Sequence, residues 1–159
     1  MRTVSSAVGG DVTRRHGIIL AKSIPARACG IKTGETVFSA LKKCPELVLV
    51  PPNYNLYQRS SDALIRLLKE YTPLVEQYSI DEAYMDMTES TALFGPPEVA
   101  AETIRERILQ ELGFTVNIGV AQNKLLAKMA SDFKKPNRVH TLWKEQIPVK
   151  MWPLPVSEL

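Results

Sequence analysis

The stretch VEQYSIDEAYMDMT, residues 75–88, limits the fold more than any other part of the chain. Its residues favour extended backbone, yet two adjacent carboxylates, Asp81 and Glu82, fall in the middle of it. Carboxylates are costly to bury unless a cation or a metal compensates them. Neighbouring residues on a regular strand also point to opposite faces, so an acid pair acting on one ligand requires a turn or bulge. The run therefore predicts two strands joined by a tight turn near the acid pair. A hairpin of that kind needs helices or further strands to cover one face.

The rest of the chain supplies them. Over residues 55–71 the apolar positions Leu56, Tyr57, Leu64, Leu67, Leu68 and Tyr71 recur at three and four, the signature of one helix face. A second helix is expected after Pro96 and Pro97, with Ala100, Ile104, Ile108 and Leu112 inward and Gly113 at its end. GIILAK (17–22) and ELVLVPP (46–52) read as strands, the latter stopped by its prolines, and FTVNIGV (114–120) as a half-buried strand. TVFSALKKC (36–44) reads as a short helix ending before Pro45, and NKLLAKMASDF (123–133) as a short basic one. Residues 23–44 carry little strand signal and suggest a small helical insertion. The pattern predicts an α/β sandwich, one sheet covered on one face by the two long helices.

Composition narrows the class without naming a function. With 45% hydrophobic and 23% charged residues over 159 positions, the chain suits one good core, with room for a small subdomain. A net charge of +3 is compatible with nucleic acid but does not by itself point to it. Cys29 and Cys44 lack CxxC spacing and read as reduced thiols. No apolar run approaches the roughly 20 residues of a membrane span, and no hydrophobic leader is read at the start, so no membrane and a cytoplasmic location are expected.

Two carboxylates at one place suit Mg²⁺, a hard cation that prefers oxygen. With a nucleoside triphosphate, two such ions about 3.5–4 Å apart can clamp the attacking and leaving oxygens. Two acids are a thin donor set for two ions, so a third carboxylate is expected from elsewhere, and Asp-Glu in a solvated turn is the ordinary alternative. Arg27, in IPARACG, and Lys134 and Lys135, in DFKKPN, are cations suited to a triphosphate, or else surface charges. GIKTGET (30–36) is not a phosphate-binding loop, because only three residues separate its glycines where four are needed, and Glu35 stands where a lysine is needed. GGD (9–11) lacks the residues that would follow it in a nucleotide cyclase. His16 and His140 are too far apart for a local metal motif.

Three long motifs then resemble one family. YSIDEAYMDMT resembles the Ser-Ile-Asp-Glu signature of Y-family translesion DNA polymerases of the UmuC/DinB type. NIGVAQNKLLAKMASDFKKPN is similar to that family's Asn-Lys, Ala-Ser-Asp and Lys-Pro-Asn stretch, and GIILAKSIPARACGIKTGET resembles its fingers region. PPNYNLY resembles the entry to the next palm helix.

The resemblance implies an α+β fold, a ferredoxin-like polymerase palm lacking its first strand, with a small helical fingers insertion. Residues 1–22 and 46–159 would be palm and 23–45 fingers, with thumb and little finger absent. Asp81 and Glu82 would be catalytic metal ligands, Arg27 and Lys135 would contact the triphosphate of the incoming dNTP, and two Mg²⁺ ions would serve the reaction. Primer-template DNA and a dNTP would be the partners, and a sliding clamp would be met through parts beyond this chain.

The chain departs from the family pattern in three ways. A first strand with another catalytic Asp would precede it, and Asp11 does not substitute. The thumb would follow MWPLPVSEL. Ile24 stands where many members carry a Tyr on the triphosphate, leaving Lys22 or Ser23 as substitutes. The expectation is a piece of an error-prone DNA polymerase of damage tolerance that is inactive or nearly so alone. An exposed palm edge would be open to self-association. The alternatives are a degenerate non-catalytic nucleic-acid-binding or protein-interaction remnant, and a nucleotide cyclase on a similar palm.

Overall fold

In a computed structural model of the chain, residues 4–10 and 17–155 are described. Asp11 and His16 lie outside the described residues. The chain divides into two compact units, Met1–Tyr54 and Asn55–Leu159.

The first unit contains β1 (Ser6–Gly9), β2 (Ile19–Lys22), α1 (Ile24–Ala28), α2 (Val37–Lys43) and β3 (Val48–Val50). Its sheet has the order β2-β1-β3, with β1 antiparallel to β2 and parallel to β3. Both helices begin at hydroxyl caps. Ser23 accepts from the Ala26 amide at 3.2 Å, and Thr36 from the Ser39 amide at 3.1 Å. The expected helical insertion is present, but it is not a body of its own. Ala26, Val37 and Ala40 from the helices share one core with Ala7, Ile19 and Leu47. The central strand β1 was not read from the sequence, because SSAVGG offers one large apolar residue and two glycines.

Cys29 and Cys44 are free thiols, as expected. Burial pushes the Cys44 thiol up to about 11, and Glu46 beside it acts the same way, so it is neutral at ordinary pH.

The second unit contains α3 (Tyr54–Leu68), β4 (Val75–Gln77), β5 (Ala83–Met85), α4 (Thr91–Phe94), α5 (Pro97–Leu112), β6 (Ile118–Val120), α6 (Lys124–Asp132), β7 (Val139–Thr141) and α7 (Ile147–Lys150). Leu67 and Leu68 of α3, Tyr71 just beyond it, and Ile104 and Ile108 of α5 form its main core, on which Val75, Ala83, Met85 and Ile118 pack. The two long helices thus bury the faces read from their periodicity. Leu56 is the exception, 55% exposed on the first turns of α3. Gly113 closes α5 with φ of 75°, the left-handed conformation a glycine adopts freely.

A single sheet was expected, and the strands instead form separate ladders: β4–β5 antiparallel and β6–β7 parallel, besides the three-stranded sheet of the first unit. Strands of three or four residues carry few ladder bonds each, and among the described residues no ladder joins β5 to β6. Shared burial on Ile104 and Ile108, rather than hydrogen bonding, holds them over one core. Strand β7 was also unread. It pairs with β6 through the α6 crossover, whose apolar side, Leu126 and Ala130, packs with Leu142.

Gly119 of β6 sits against α6 so closely that a Cβ there would lie 1.8 Å from the Ala127 carbonyl oxygen. Only glycine permits that approach, and it fixes which face of α6 looks outward.

Candidate catalytic hairpin and its lysine helix

The turn 78–82 presents the acid pair. The Glu82 carbonyl accepts from the amides of Tyr78 and Ser79, at 3.0 and 3.1 Å, closing the hairpin. Gln77 ties its base to α3, donating to Ser61 Oγ at 3.1 Å. The turn that a jointly acting acid pair requires is therefore present.

The two carboxylates meet different surroundings. Asp81 is exposed; its Oδ1 accepts from Ser79 Oγ at 2.8 Å, and it lines an open groove of about 350 Å³ with Ile80, Tyr57, Ser60 and Ser61 of α3, and residues 114–116. Glu82 is half-buried and ion-paired to Lys128 of α6. That pairing comes first among the causes that raise the Lys128 pKa. The nearby Asp86 is held below the usual carboxylate range by the Thr88 hydroxyl and amide, so it is used locally.

From Lys128 the charges continue. Its ammonium also lies 3.8 Å from Asp132, whose other oxygen holds Lys135 at 2.5 Å. Lys135 comes first among the causes that lower the Asp132 pKa. Glu82, Lys128, Asp132 and Lys135 thus form a relay of alternating sign from the hairpin to the end of α6. One turn earlier Lys124 pairs with Glu76 of β4 and stands over the Tyr84 ring.

Of the residues expected to act, Glu82 and Lys135 are joined through this relay, and Asp81 opens onto the groove beside it. Lys124, Lys128 and Asp132 were not singled out from sequence. Their spacing of four places them on one stripe of α6, a signal that was there to be read.

Arg27 lies in the other unit. It is exposed on α1 and lines a basic recess of about 310 Å³ with Lys22, Gly30, Ile31, Lys32 and Thr33. Lys22 donates to Thr33 Oγ1 at 2.9 Å, within the recess. Ser23, the other suggested substitute for the missing tyrosine, is committed. Its hydroxyl donates to the Val4 carbonyl and accepts from the amides of Ser6 and Ala26. Ile24 is 78% exposed and supplies no polar atom.

The donors suit the chemistry in kind. Two carboxylates on one tight turn offer oxygen ligands for a hard divalent cation, which would take over from Lys128 in balancing Glu82. Lysine and arginine side chains bind phosphate by charge-assisted hydrogen bonds.

An α+β domain with an acidic hairpin backed by a lysine-bearing crossover helix is the class that fold and site define. The chain belongs to the impB/mucB/samB family, whose model matches residues 1–132. It is 50% identical over 159 residues to the DNA polymerase IV of Clostridium acetobutylicum, covering 100% of this chain and 40% of that protein. It is 49% identical over 153 residues to DNA polymerase IV 1 of Bacillus subtilis, covering 96% and 37%. The chain thus spans about 40% of the length of the curated relatives it matches.

Among solved structures it superposes on DinB from Sulfolobus solfataricus with a TM-score of 0.87 at 28% identity, covering 99% of this chain and 46% of that one. It superposes on Dbh DNA polymerase in an insertion ternary complex with a TM-score of 0.87 at 29% identity, covering 99% and 46%. The Y-family resemblance and its palm-and-fingers fold, drawn from the motifs, are borne out by these matches. Among the described residues no helix is long and apolar enough to cross a membrane.

Proposed function

We propose that the protein to which this chain belongs is a DNA-directed DNA polymerase of the error-prone translesion type, acting in the cytoplasm on primer-template DNA and dNTPs. The observation that carries the reading is the relay from Glu82 to Lys135 beside an open Asp81, in a chain of this family. Residues 1–22 and 46–159 would contribute the palm and 23–45 the fingers.

In this reading Asp81 and Glu82 hold Mg²⁺, with two ions in the complete site. When bound, the ions supply charge stabilisation at the reacting phosphate and lower the pKa of the attacking hydroxyl. The primer 3′-oxygen forms a bond to the α-phosphorus as the bond to the β-phosphate oxygen breaks. The hydroxyl loses its proton and pyrophosphate leaves.

Lys135 and Arg27 bind the triphosphate, and Lys22 and Lys32 reinforce Arg27 from the same recess. Lys128 keeps Glu82 oriented and compensated until the cation arrives. Lys22, rather than Ser23, is the group that answers for Ile24, since Ser23 is spent as a helix cap while the Lys22 ammonium, which gives one bond to Thr33, has further protons to donate. The edges of the β4–β5 and β6–β7 ladders are where a further strand, or a second copy of the chain, would pair. A sliding clamp would bind elsewhere in the longer protein.

Primer extension by the full-length protein with Mg²⁺ tests the assignment. Asp81→Ala should abolish it, and retained extension would refute the role given to Asp81. For self-association, sedimentation over a wide concentration range should show a dimer at the upper end. A strictly monomeric profile removes that part of the reading.

A further inference from the structure

The structure assigns a second, chemically different metal site to the first unit: Cys29, Cys44 and Glu46 form a chelate for a thiophilic divalent cation such as Zn²⁺. Among the described residues this is where three metal-ligating side chains converge, with the two Sγ atoms and a Glu46 carboxylate oxygen all within 4.8 Å of one another. The backbone makes the meeting. Cys29 ends α1 and Cys44 ends α2, and the turn closed by the Leu47 amide on the Cys44 carbonyl at 3.0 Å sets Glu46 beside them.

A tetrahedral zinc with bonds of about 2.3 Å to sulfur places its two sulfurs roughly 3.8 Å apart, a separation compatible with the cluster. Ser5 Oγ lies 3.9 Å from Cys29 Sγ and is a neighbouring oxygen. Cys44 is 1% exposed, Cys29 is half-buried and Glu46 is exposed, so the cluster has a closed sulfur side and an open oxygen side. A structural site of four protein ligands would be sealed; this one leaves its fourth position to Ser5 or to solvent.

On binding, each thiol releases a proton to solvent and gives a sulfur lone pair to the metal. Glu46 gives a carboxylate oxygen, and nothing is oxidised. Softness separates this site from the acid hairpin, since thiolates select zinc or cadmium while paired carboxylates select magnesium. The bound ion would pin the end of α1, which carries Arg27, to the end of α2, fastening the helical insertion at its base.

The test is a titration of the reduced chain with Cd²⁺ or Co²⁺, read by thiolate-to-metal absorption and by thiol reactivity toward a chromogenic disulfide reagent. One equivalent should produce the band and shield both thiols, and Zn²⁺ should raise the melting temperature; Mg²⁺ should do none of these. Cys29→Ser and Cys44→Ser should each lose the band, and Glu46→Gln should bind about tenfold or more weaker. Cys29 is half-buried and Glu46 exposed, so those two variants keep the test sharp should Cys44→Ser misfold. A band that survives in both Cys29→Ser and Glu46→Gln overturns the site. So does the absence of any band at stoichiometric metal, or thiol loss only through a Cys29–Cys44 disulfide under air.

Discussion

Arg27 and Lys135 carry the same charge and the same expected task, but they stand in opposite electrostatic situations. Lys135 is held at 2.5 Å by Asp132, which also faces Lys128, which in turn holds Glu82. Arg27, among the described residues, has no ion pair and shares its recess with two further cations, Lys22 and Lys32. An anion arriving at Arg27 relieves crowded positive charge. At Lys135 it must compete with a carboxylate already in place. The comparison teaches that the first unit gathers charge of one sign in its recess, which in the proposed reading would suit an anion, whereas the second alternates its charges along the relay.

Asp81→Ala is expected to have the largest effect, a loss of 10²–10³-fold or more in primer extension by the full-length protein, on the scale of removing one charge-stabilising group from an active site. Nucleotide binding should then separate the two cations. Arg27→Ala should weaken it about 10–100-fold, the equivalent of a charge-assisted hydrogen bond of about 1.5–3 kcal/mol. Lys135→Ala should weaken it only a few-fold by the same titration, because its charge is already shared with Asp132. If Lys135→Ala proves the more damaging of the two, the contrast is inverted. Asp132→Asn sharpens it from the other side: with Lys135 released, triphosphate should bind a few-fold tighter, and weaker binding would show that Asp132 is needed to aim the lysine.

The smallest effect is local and depends on pH. Glu35 accepts from the Lys43 ammonium at 2.5 Å and, second in weight, from the Lys32 amide at 2.6 Å, and these contacts hold its carboxyl down at about 2, against 4.5 normally. Because the folded pKa is the lower one, the contribution is complete above about 4.5 and is lost as pH falls toward 2. Hydrogen exchange at the Lys32 amide, on the rim of the Arg27 recess, should quicken over that window beyond its intrinsic pH dependence. Glu35→Gln should remove the excess.

Much of this was legible in residues. Period fixes a helix face, so Ile104 and Ile108 could be placed inward, and an acid pair inside an extended run demands a turn, which 78–82 supplies. The caps at Ser23, Thr36 and Asn123 lie where hydroxyl or amide side chains precede helical runs. The helical insertion, the hairpin and the family followed from local pattern and ordered motifs.

Other features depended on long-range packing. Local sequence held no sign that SSAVGG would be a central strand, since its place depends on β2 and β3 lying on either side of it. Nor could the strands' division into ladders be read, because pairing joins residues far apart in the chain. The same holds for Lys128 facing Glu82, 46 residues away, and for two cysteines without a metal-binding spacing meeting at the ends of two helices. Periodicity and capping are set by neighbours a few bonds apart, and the sequence determines them directly. Which carboxylate meets which ammonium is decided by close approaches such as Gly119 on α6, and those exist only once the chain has packed.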